Sequence, residues 1–352
     1  MLIEENKPLA PFTTFGIGGP ARWFVEAASE EEIAEAASWA EEHAVKLFVL
    51  GGGSNLLVSD AGFDGLVVRV ALRGITAQDA ADSTGERIYQ AAAGEDWDYF
   101  VAFSTQAECA GIECLAGIPG TVGGTPVQNV GAYGQEVASA IERVRAFDLQ
   151  SRSFVEFTAA ECGFAYRRSR FNSEDRGRYI VTRVDYRLTP GGAPTVRYAD
   201  LQRALAESGE PSLADVAAVV RRVRQAKGML LVDGDPDCRS AGSFFKNPVV
   251  SEDQLRQIAA VSAKEPPRFP AGPDSENQGR IKVPAAWLIE QAGFSKGYTL
   301  GATAISSRHT LALINLGGAK AAEVLALAGE ITAAVEERFG IRLEMEPVLV
   351  GF

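Results

Sequence analysis

The stretch KLFVLGGGSNLLV, residues 46–58, decides how the rest of the chain is read. Lys46–Leu50 has the apolar composition of a β-strand and stops at three glycines, Gly51, Gly52 and Gly53. Ser54 and Asn55 follow, and the chain turns apolar again at Leu56. A triple glycine lets the backbone approach a ligand with no Cβ in between. Consecutive N–H groups in such a loop form a nest suited to phosphate or pyrophosphate. An ordinary tight turn is the competing reading. Neither of the two best-known phosphate motifs is present. Leu56 stands where the dinucleotide fingerprint needs its third glycine, and no Gly-Lys-Ser/Thr follows.

Upstream, residues 21–26 read as a strand, and Ser29-Glu-Glu-Glu32 as a capping box that opens an amphipathic helix through Ala40. Residues 21–50 are therefore expected to form a βαβ unit that carries the glycine loop to the C-terminal edge of a strand. Open α/β sheets bind ligands at that edge. Downstream, strands are expected over residues 65–70 and 87–92 and a helix over 96–108. Residues 115–136, LAGIPGTVGGTPVQNVGAYGQE, hold six glycines in 22 residues, too many for a helix or central strand. The pattern suggests backbone wrapped around something flat or phosphorylated. A flexible loop fits less well, because Ile118, Val122, Val127 and Val130 need burial.

Strands are expected again over 142–148 and 179–188, on either side of Phe164-Ala-Tyr-Arg-Arg-Ser-Arg170. Residues 208–212 read as a linker or a cap, and 213–227 as a basic helix whose Arg221, Arg222, Arg224 and Lys227 mostly form a solvated face. A Pro-rich loop (264–272) and a polar loop (274–278) precede a helix around 285–291. A strand at 310–315 and an amphipathic helix at 321–339 follow, the helix ended by Gly340 as C-cap.

The 352 residues allow two or three domains, and a net charge of −12 argues against nucleic-acid or anionic-membrane partners. An anionic substrate would then need a local cluster of Lys and Arg. Cys109, Cys114, Cys162 and Cys238 lack CxxC spacing, and His43 and His309 are the only histidines. Disulfides, a metal site and a His-based triad are not expected, and a reducing cytoplasm is. The acidic N-terminus is not a signal peptide, and no apolar run is long enough to span a bilayer.

Three places could carry chemistry. Ser243 sits in Ala-Gly-Ser-Phe-Phe-Lys-Asn247, which is not a nucleophile elbow, so a structural hydroxyl is the plain alternative. Glu344 and Glu346 alternate with apolar residues in an expected strand, which would put both on one face. Arg167 and Arg168 follow an aromatic stretch, where a surface pair is the default. These signals do not by themselves name a reaction.

Eight ordered segments do. TTFGIGGPAR, VLGGGSNLLV, GIPGTVGGTPVQNVGAYGQE, FAYRRSRF, AGSFFKNP, AAWLIEQAGF, LALIN and LEMEPVLVGF closely resemble the MurB family of flavin-dependent UDP-N-acetylenolpyruvoylglucosamine reductases. The resemblance implies an α+β fold. A two-part FAD-binding region of the vanillyl-alcohol-oxidase kind, about residues 16–187, is joined to a separate α+β substrate domain. The implied divisions are 1–62 with a C-terminal strand at 347–352, then 63–228, then the substrate domain at 229–346. Gly51, Gly52, Gly53, Ser54, Asn55 and Leu56 would cradle the FAD pyrophosphate. Ile118, Pro119, Gly123, Gly124, Gly131 and Tyr133 would wrap the rest of the cofactor. The glycine segments hold no His or Cys, so FAD is expected to be noncovalent, with Cys114 the only nearby thiol.

The resemblance further implies that NADPH supplies hydride and that the enolpyruvyl sugar nucleotide is reduced in a second half-reaction. Arg167 and Glu346 would stabilise the enolate-like charge, and Ser243 would protonate the α-carbon, with Lys246 as a candidate support. Tyr198, Lys227, Asn247 and Lys296 would contact substrate, and the enzyme is expected to be a monomer. This sequence departs from well-known members at His309, at Phe269 and in extra residues around 231–239. A related FAD oxidase, or a non-catalytic flavin- or nucleotide-sugar-binding regulator, is the alternative.

Overall fold

A computed structural model describes residues 1–82, 84–206, 209–262, 264–271 and 279–352. The polar loop at 274–278 lies outside the described residues, as do Ser208 of the linker and Gly272 at the end of the Pro-rich loop. Backbone contacts divide the chain into two compact units. The first holds residues 1–7, 21–53 and 64–226, and the second holds 8–20, 54–63 and 227–352.

The first unit begins with β1 (Glu4–Pro8), β2 (Pro20–Ala27), α1 (Glu30–Glu42) and β3 (Lys46–Leu50). Ser29 caps α1 by accepting the Glu32 N–H, but the Glu32 carboxylate takes the N–H of Ala28 rather than that of Ser29. The expected capping box is therefore half formed and shifted by one residue. After β4 (Leu56–Val58), β5 (Phe63–Val70) returns to pair in parallel with β3, and the sheet runs β1-β2-β5-β3. The βαβ unit is present with β5 inserted between its two strands.

A larger antiparallel sheet follows, built from β6 (Ile75–Asp79), β7 (Arg87–Ala92), β11 (Ile141–Asp148), β12 (Ser153–Thr158) and β13 (Tyr179–Pro190). Its order is β12-β11-β13-β7-β6, with β8 (Cys109–Ala110) pairing β13 off this path. β9 (Gly131–Ala132) and β10 (Gln135–Glu136) form a small hairpin. The helices α2 (Trp97–Gln106), α3 (Ala199–Leu205) and α4 (Leu213–Ala226) complete the unit. Its core gathers the buried rings of Tyr89, Trp97, Phe100 and Tyr186, with Phe100 and Tyr186 centroids 4.9 Å apart. Each such ring pair adds about 0.5–1.5 kcal/mol beyond burial.

The second unit holds β4 and β14 (Val249–Val250), α5 (Glu252–Val261), β15 (Phe269–Pro270), β16 (Ile281–Lys282), α6 (Ala285–Gln291), β17 (Thr299–Leu300), β18 (Thr303–Ile305), β19 (Leu313–Asn315), α7 (Ala321–Phe339) and β20 (Val348–Val350). α7 buries Val324, Leu327, Ala328, Ile331 and Val335, an apolar stripe at helical spacing. Asp60 caps its N-terminus by accepting the N–H groups of Ala321 (2.8 Å) and Ala322 (3.1 Å). Gly340 closes it at φ +66, as a left-handed C-cap requires. The strand expected at 310–315 is confined to β19, and the terminal strand to β20. Pro347 immediately precedes β20 and has no N–H to give a ladder. β20 pairs in parallel with β4, Val348 opposite Leu56.

Candidate active site

Within the first unit the two glycine-rich stretches meet backbone to backbone. A Cβ on Gly52 would lie 2.5 Å from the Gly120 Cα, and one on Gly51 3.0 Å from the Thr121 Oγ1. At Gly52 only glycine allows this approach. The longer stretch is stapled from several sides. The Trp97 N–H donates to the Gly120 carbonyl (3.1 Å) and the indole Nε1–H to that of Leu115 (3.1 Å). Val122 N–H donates to Glu95 O (2.9 Å) and Gly123 N–H to Ala93 O (2.8 Å). Asp98 accepts the Gly117 N–H (2.6 Å) and is paired with Arg221. Arg224 Nε–H donates to the Gly117 carbonyl (2.9 Å). Beneath them the fully buried Tyr186 hydroxyl meets Thr125 Oγ1 at 2.6 Å, and Thr125 donates to Val122 O. Because Thr125 gives its hydrogen to Val122, the Tyr186 hydroxyl is left as the donor between the two, and burial pushes its phenol well above the ordinary pKa.

Arg224 is 8% exposed, contrary to the solvated basic face expected of its helix. The spacing carries the signal: Val216, Val220 and Arg224 recur every fourth residue, and both valines are buried. Arg221 and Arg222 are exposed, as expected.

The glycines of the longer stretch fall into two kinds. A Cβ on Gly123 would lie 2.5 Å from that of Ala93, and one on Gly131 2.7 Å from the Glu136 Cγ. A Cβ on Gly124 would meet nothing within 4 Å. Beside it, Thr121 Oγ1 is buried with no hydrogen-bond partner among the described residues. Leaving such a group unsatisfied costs about 1–3 kcal/mol, which a polar ligand would offset. Open space at one glycine, an orphaned hydroxyl and bare backbone at Gly51–Gly53 fit a phosphate-bearing cofactor. Ile118 and Pro119 are half-buried in the same stretch.

Three non-glycine residues here hold positive φ: Asn129 (+47), Tyr133 (+50) and Arg167 (+56). Such backbone is sparsely populated and persists where surrounding contacts impose it. Asn129 Nδ2 donates to Glu136 (2.9 Å) and to Ala165 O (3.1 Å), and its Oδ1 accepts the Ala138 N–H. Arg167 donates from Nη1 to Gly131 O (3.1 Å), and Asn172 Nδ2 donates to the Arg167 carbonyl. Arg167 is thus directed onto the longer glycine stretch. Tyr198 is 44% exposed, and its ring stands edge-on to that of Tyr133 at 5.4 Å. Cys114 is fully buried and donates to Thr195 O (2.9 Å). Burial, and secondarily the Glu113 charge, push its thiol up to about 12, so it is a poor nucleophile.

In the second unit, Asn55 links the end of the first glycine stretch to Glu346. Its Nδ2 donates to the Glu346 carbonyl (3.2 Å), and its own carbonyl accepts the Val348 N–H (2.9 Å). The Glu346 N–H donates to Phe244 O (2.9 Å) and the Lys246 N–H to Glu344 O (2.9 Å), around a bridge between Phe245 and Met345. Ser243, half-buried, directly precedes Phe244 and follows Gly242 at φ +70. Segments about a hundred residues apart in sequence are therefore paired, placing Ser243 and Glu346 on adjacent backbones.

The two glutamates part company. Glu344 is exposed and ion-paired to Lys246, whereas Glu346 is half-buried. That ion pair engages the ammonium expected to support Ser243. Asn247 uses its Oδ1 to accept the Ala285 N–H (2.9 Å) at the start of α6, a capping role that sequence reasoning did not foresee. Lys227 is half-buried just beyond α4, and Lys296 is exposed after α6. Gly51–Gly53, Ile118, Pro119, Gly123, Gly124, Gly131, Tyr133, Arg167 and Tyr198 belong to the first unit. Ser54–Leu56, Lys227, Ser243, Asn247, Lys296 and Glu346 belong to the second.

A glycine-built cradle suits a phosphate-bearing cofactor, and the match of residues 21–151 to the FAD binding domain family makes this a flavin-binding protein. Residues 235–350 match the C-terminal domain of UDP-N-acetylenolpyruvoylglucosamine reductase. The chain is 45% identical to the UDP-N-acetylenolpyruvoylglucosamine reductase of Streptomyces coelicolor, covering 99% of this chain and 90% of that one. It is equally similar to the Thermobifida fusca reductase, over 99% and 98%. The crystal structure of the Thermus caldophilus enzyme superposes with a TM-score of 0.66 at 28% identity, covering 99% of both chains. The chain belongs to the UDP-N-acetylenolpyruvoylglucosamine reductase family: it is an FAD-dependent oxidoreductase of peptidoglycan precursor synthesis, with an α+β fold. Among the described residues, no helix is long and apolar enough to cross a membrane.

Proposed function

We propose that the chain reduces UDP-N-acetylenolpyruvoylglucosamine to UDP-N-acetylmuramate with NADPH as hydride donor, and that Ser243, Arg167 and Glu346 perform the second half-reaction. The observation that supports this most is the pairing of residues 244–246 with 344–346, tied by Asn55 to the first glycine stretch. FAD, when bound, carries reducing equivalents from the nicotinamide to the enol ether. Gly51, Gly52, Gly53, Ser54, Asn55 and Leu56 would hold its pyrophosphate, and Ile118, Pro119, Gly123, Gly124, Gly131 and Tyr133 would enclose the rest, without a covalent link.

As the substrate accepts hydride, negative charge develops on its carboxylate and α-carbon. Arg167, fixed by its contact with Gly131, supplies a cation in an imposed conformation, and Glu346 is the partner that shares this role. Ser243 Oγ gives its proton to the α-carbon. A hydroxyl is a weak acid, so this proton loss needs nearby positive charge. Lys246 is engaged by Glu344, which leaves that task to other cations. Tyr198, Lys227, Asn247 and Lys296 would contact the sugar nucleotide. In this reading residues 1–62 with 347–352 and residues 63–228 serve the cofactor and 229–346 the substrate. The enzyme works as a cytoplasmic monomer, without nucleic-acid or membrane partners.

The test separates the half-reactions. In Ser243→Ala, NADPH should still bleach the flavin at close to the wild-type rate. Reoxidation by the enolpyruvyl sugar nucleotide should fall by about 10²–10⁴, the range of a lost general acid. Equal turnover in variant and wild type would remove Ser243 from the mechanism.

A further inference from the structure

Glu113 is a fully buried carboxylate, 0% exposed, beside the longer glycine stretch. Burying a carboxylate is costly unless it is hydrogen-bonded, and among the described residues this one is met by three donors. Its Oε1 accepts the Gln135 Nε2–H (2.8 Å) and the Thr195 N–H (2.7 Å), and its Oε2 accepts the Gly111 N–H (2.8 Å). An amide at this position would turn an NH₂ toward at least one of these donors. A carboxylate is the group that can satisfy all three.

Each of two arms leads to a tyrosine of the proposed site. Gln135 begins the second strand of the β9–β10 hairpin, whose two-residue tip is Tyr133 and Gly134. Both tip residues have positive φ (+50 and +85), as a type I′ turn requires. The orientation of Gln135 is fixed from its other end, where its Oε1 accepts the Cys114 N–H (2.8 Å). Thr195 lies three residues before Tyr198 and is gripped twice: its N–H by Glu113 and its carbonyl by the Cys114 thiol. The two tyrosine rings then meet edge-on.

We propose that Glu113 is a positioning residue that anchors Tyr133 and Tyr198 to one another and so positions Tyr198 for the sugar nucleotide. Glu113 touches no substrate in this assignment and acts through the two segments it holds. The assignment rests on the reading of Tyr198 as a substrate contact.

The experiment is a two-by-two set in the holoenzyme: wild type, Glu113→Gln, Tyr198→Ala and the double variant. Glu113→Gln is expected to raise the KM for UDP-N-acetylenolpyruvoylglucosamine tenfold or more while flavin reduction by NADPH stays within twofold. The double variant is expected to be no worse in KM than Tyr198→Ala alone, because residues acting as one unit are not additive. An unchanged KM in Glu113→Gln, or a rise that adds in full to that of Tyr198→Ala, would overturn the assignment. If wild type fails to turn over the sugar nucleotide, the functional reading is what fails. Melting temperatures of the same four proteins then decide: non-additive shifts support the anchor and additive shifts overturn it. If Glu113→Gln does not accumulate as folded protein, Gln135→Met removes one arm. A KM-selective loss there supports the anchor, and an unchanged KM overturns it.

Discussion

Residues 51–53 and residues 115–136 are both dense in glycine, yet they hold their shapes by different means. The short stretch has no side chains of its own in that segment and depends on bare backbone lying against Gly120 and Thr121. The long one is fastened by side chains from elsewhere: Trp97, Asp98, Glu113, Tyr186 and Arg224. Glycine accordingly does two jobs. At Gly52 and Gly123 it permits contact within the protein, and at Gly124 it leaves room that the protein does not fill. A sequence shows the density of glycine and cannot show which job each one performs.

Substitutions can break this contrast, and the largest effect is expected at Gly52. In Gly52→Ala the new methyl meets backbone, which has no rotamer by which to move aside. FAD affinity should fall by about a hundredfold or more, on the scale of the ~3 kcal/mol that overpacking costs, as flavin fluorescence titration of apoprotein would measure. Wild-type affinity would mean that the two stretches are not held together by this contact. Arg224→Met should come next. It leaves the Gly117 carbonyl buried without its charged donor, a loss of about 1–3 kcal/mol, read as a lower melting temperature and roughly tenfold weaker FAD. Gly124→Ala sharpens the comparison with the smallest effect. The apoprotein should melt within about 1 °C of wild type because the methyl enters open space, while FAD binding should weaken several-fold as van der Waals room is lost. A methyl that lowers apoprotein stability without touching FAD affinity would place Gly124 among the packing glycines.

Much of the fold is legible in the residues alone. Local patterns give the strands flanking the glycine loop, α2, α4 and α7, because apolar periodicity and caps act within a few residues. The ordered motifs mark the family. Local patterns do not show that β5 inserts between β2 and β3, since strand order is set by packing across the sheet. Nor do they show that Lys246 pairs with Glu344, or that Asn247 caps α6, because these partners lie 98 and 38 residues away. Arg224 escapes a sequence reading for a different reason. Charge argues for solvent, and the four-residue spacing from Val216 and Val220 argues for the interior; the Gly117 carbonyl decides between them.

The parallel pairing of β4 with β20 has a consequence for synthesis. Asn55 and Glu346 are separated by 291 residues, and among the described residues β4 pairs with no strand but β20, so this pairing waits until residues 348–350 have been made. At about 5–20 residues per second this wait is roughly 15–60 s on the ribosome. Leu56, Leu57 and Val58 must pass that interval without this strand pairing, although the cofactor loop before them is already complete in sequence.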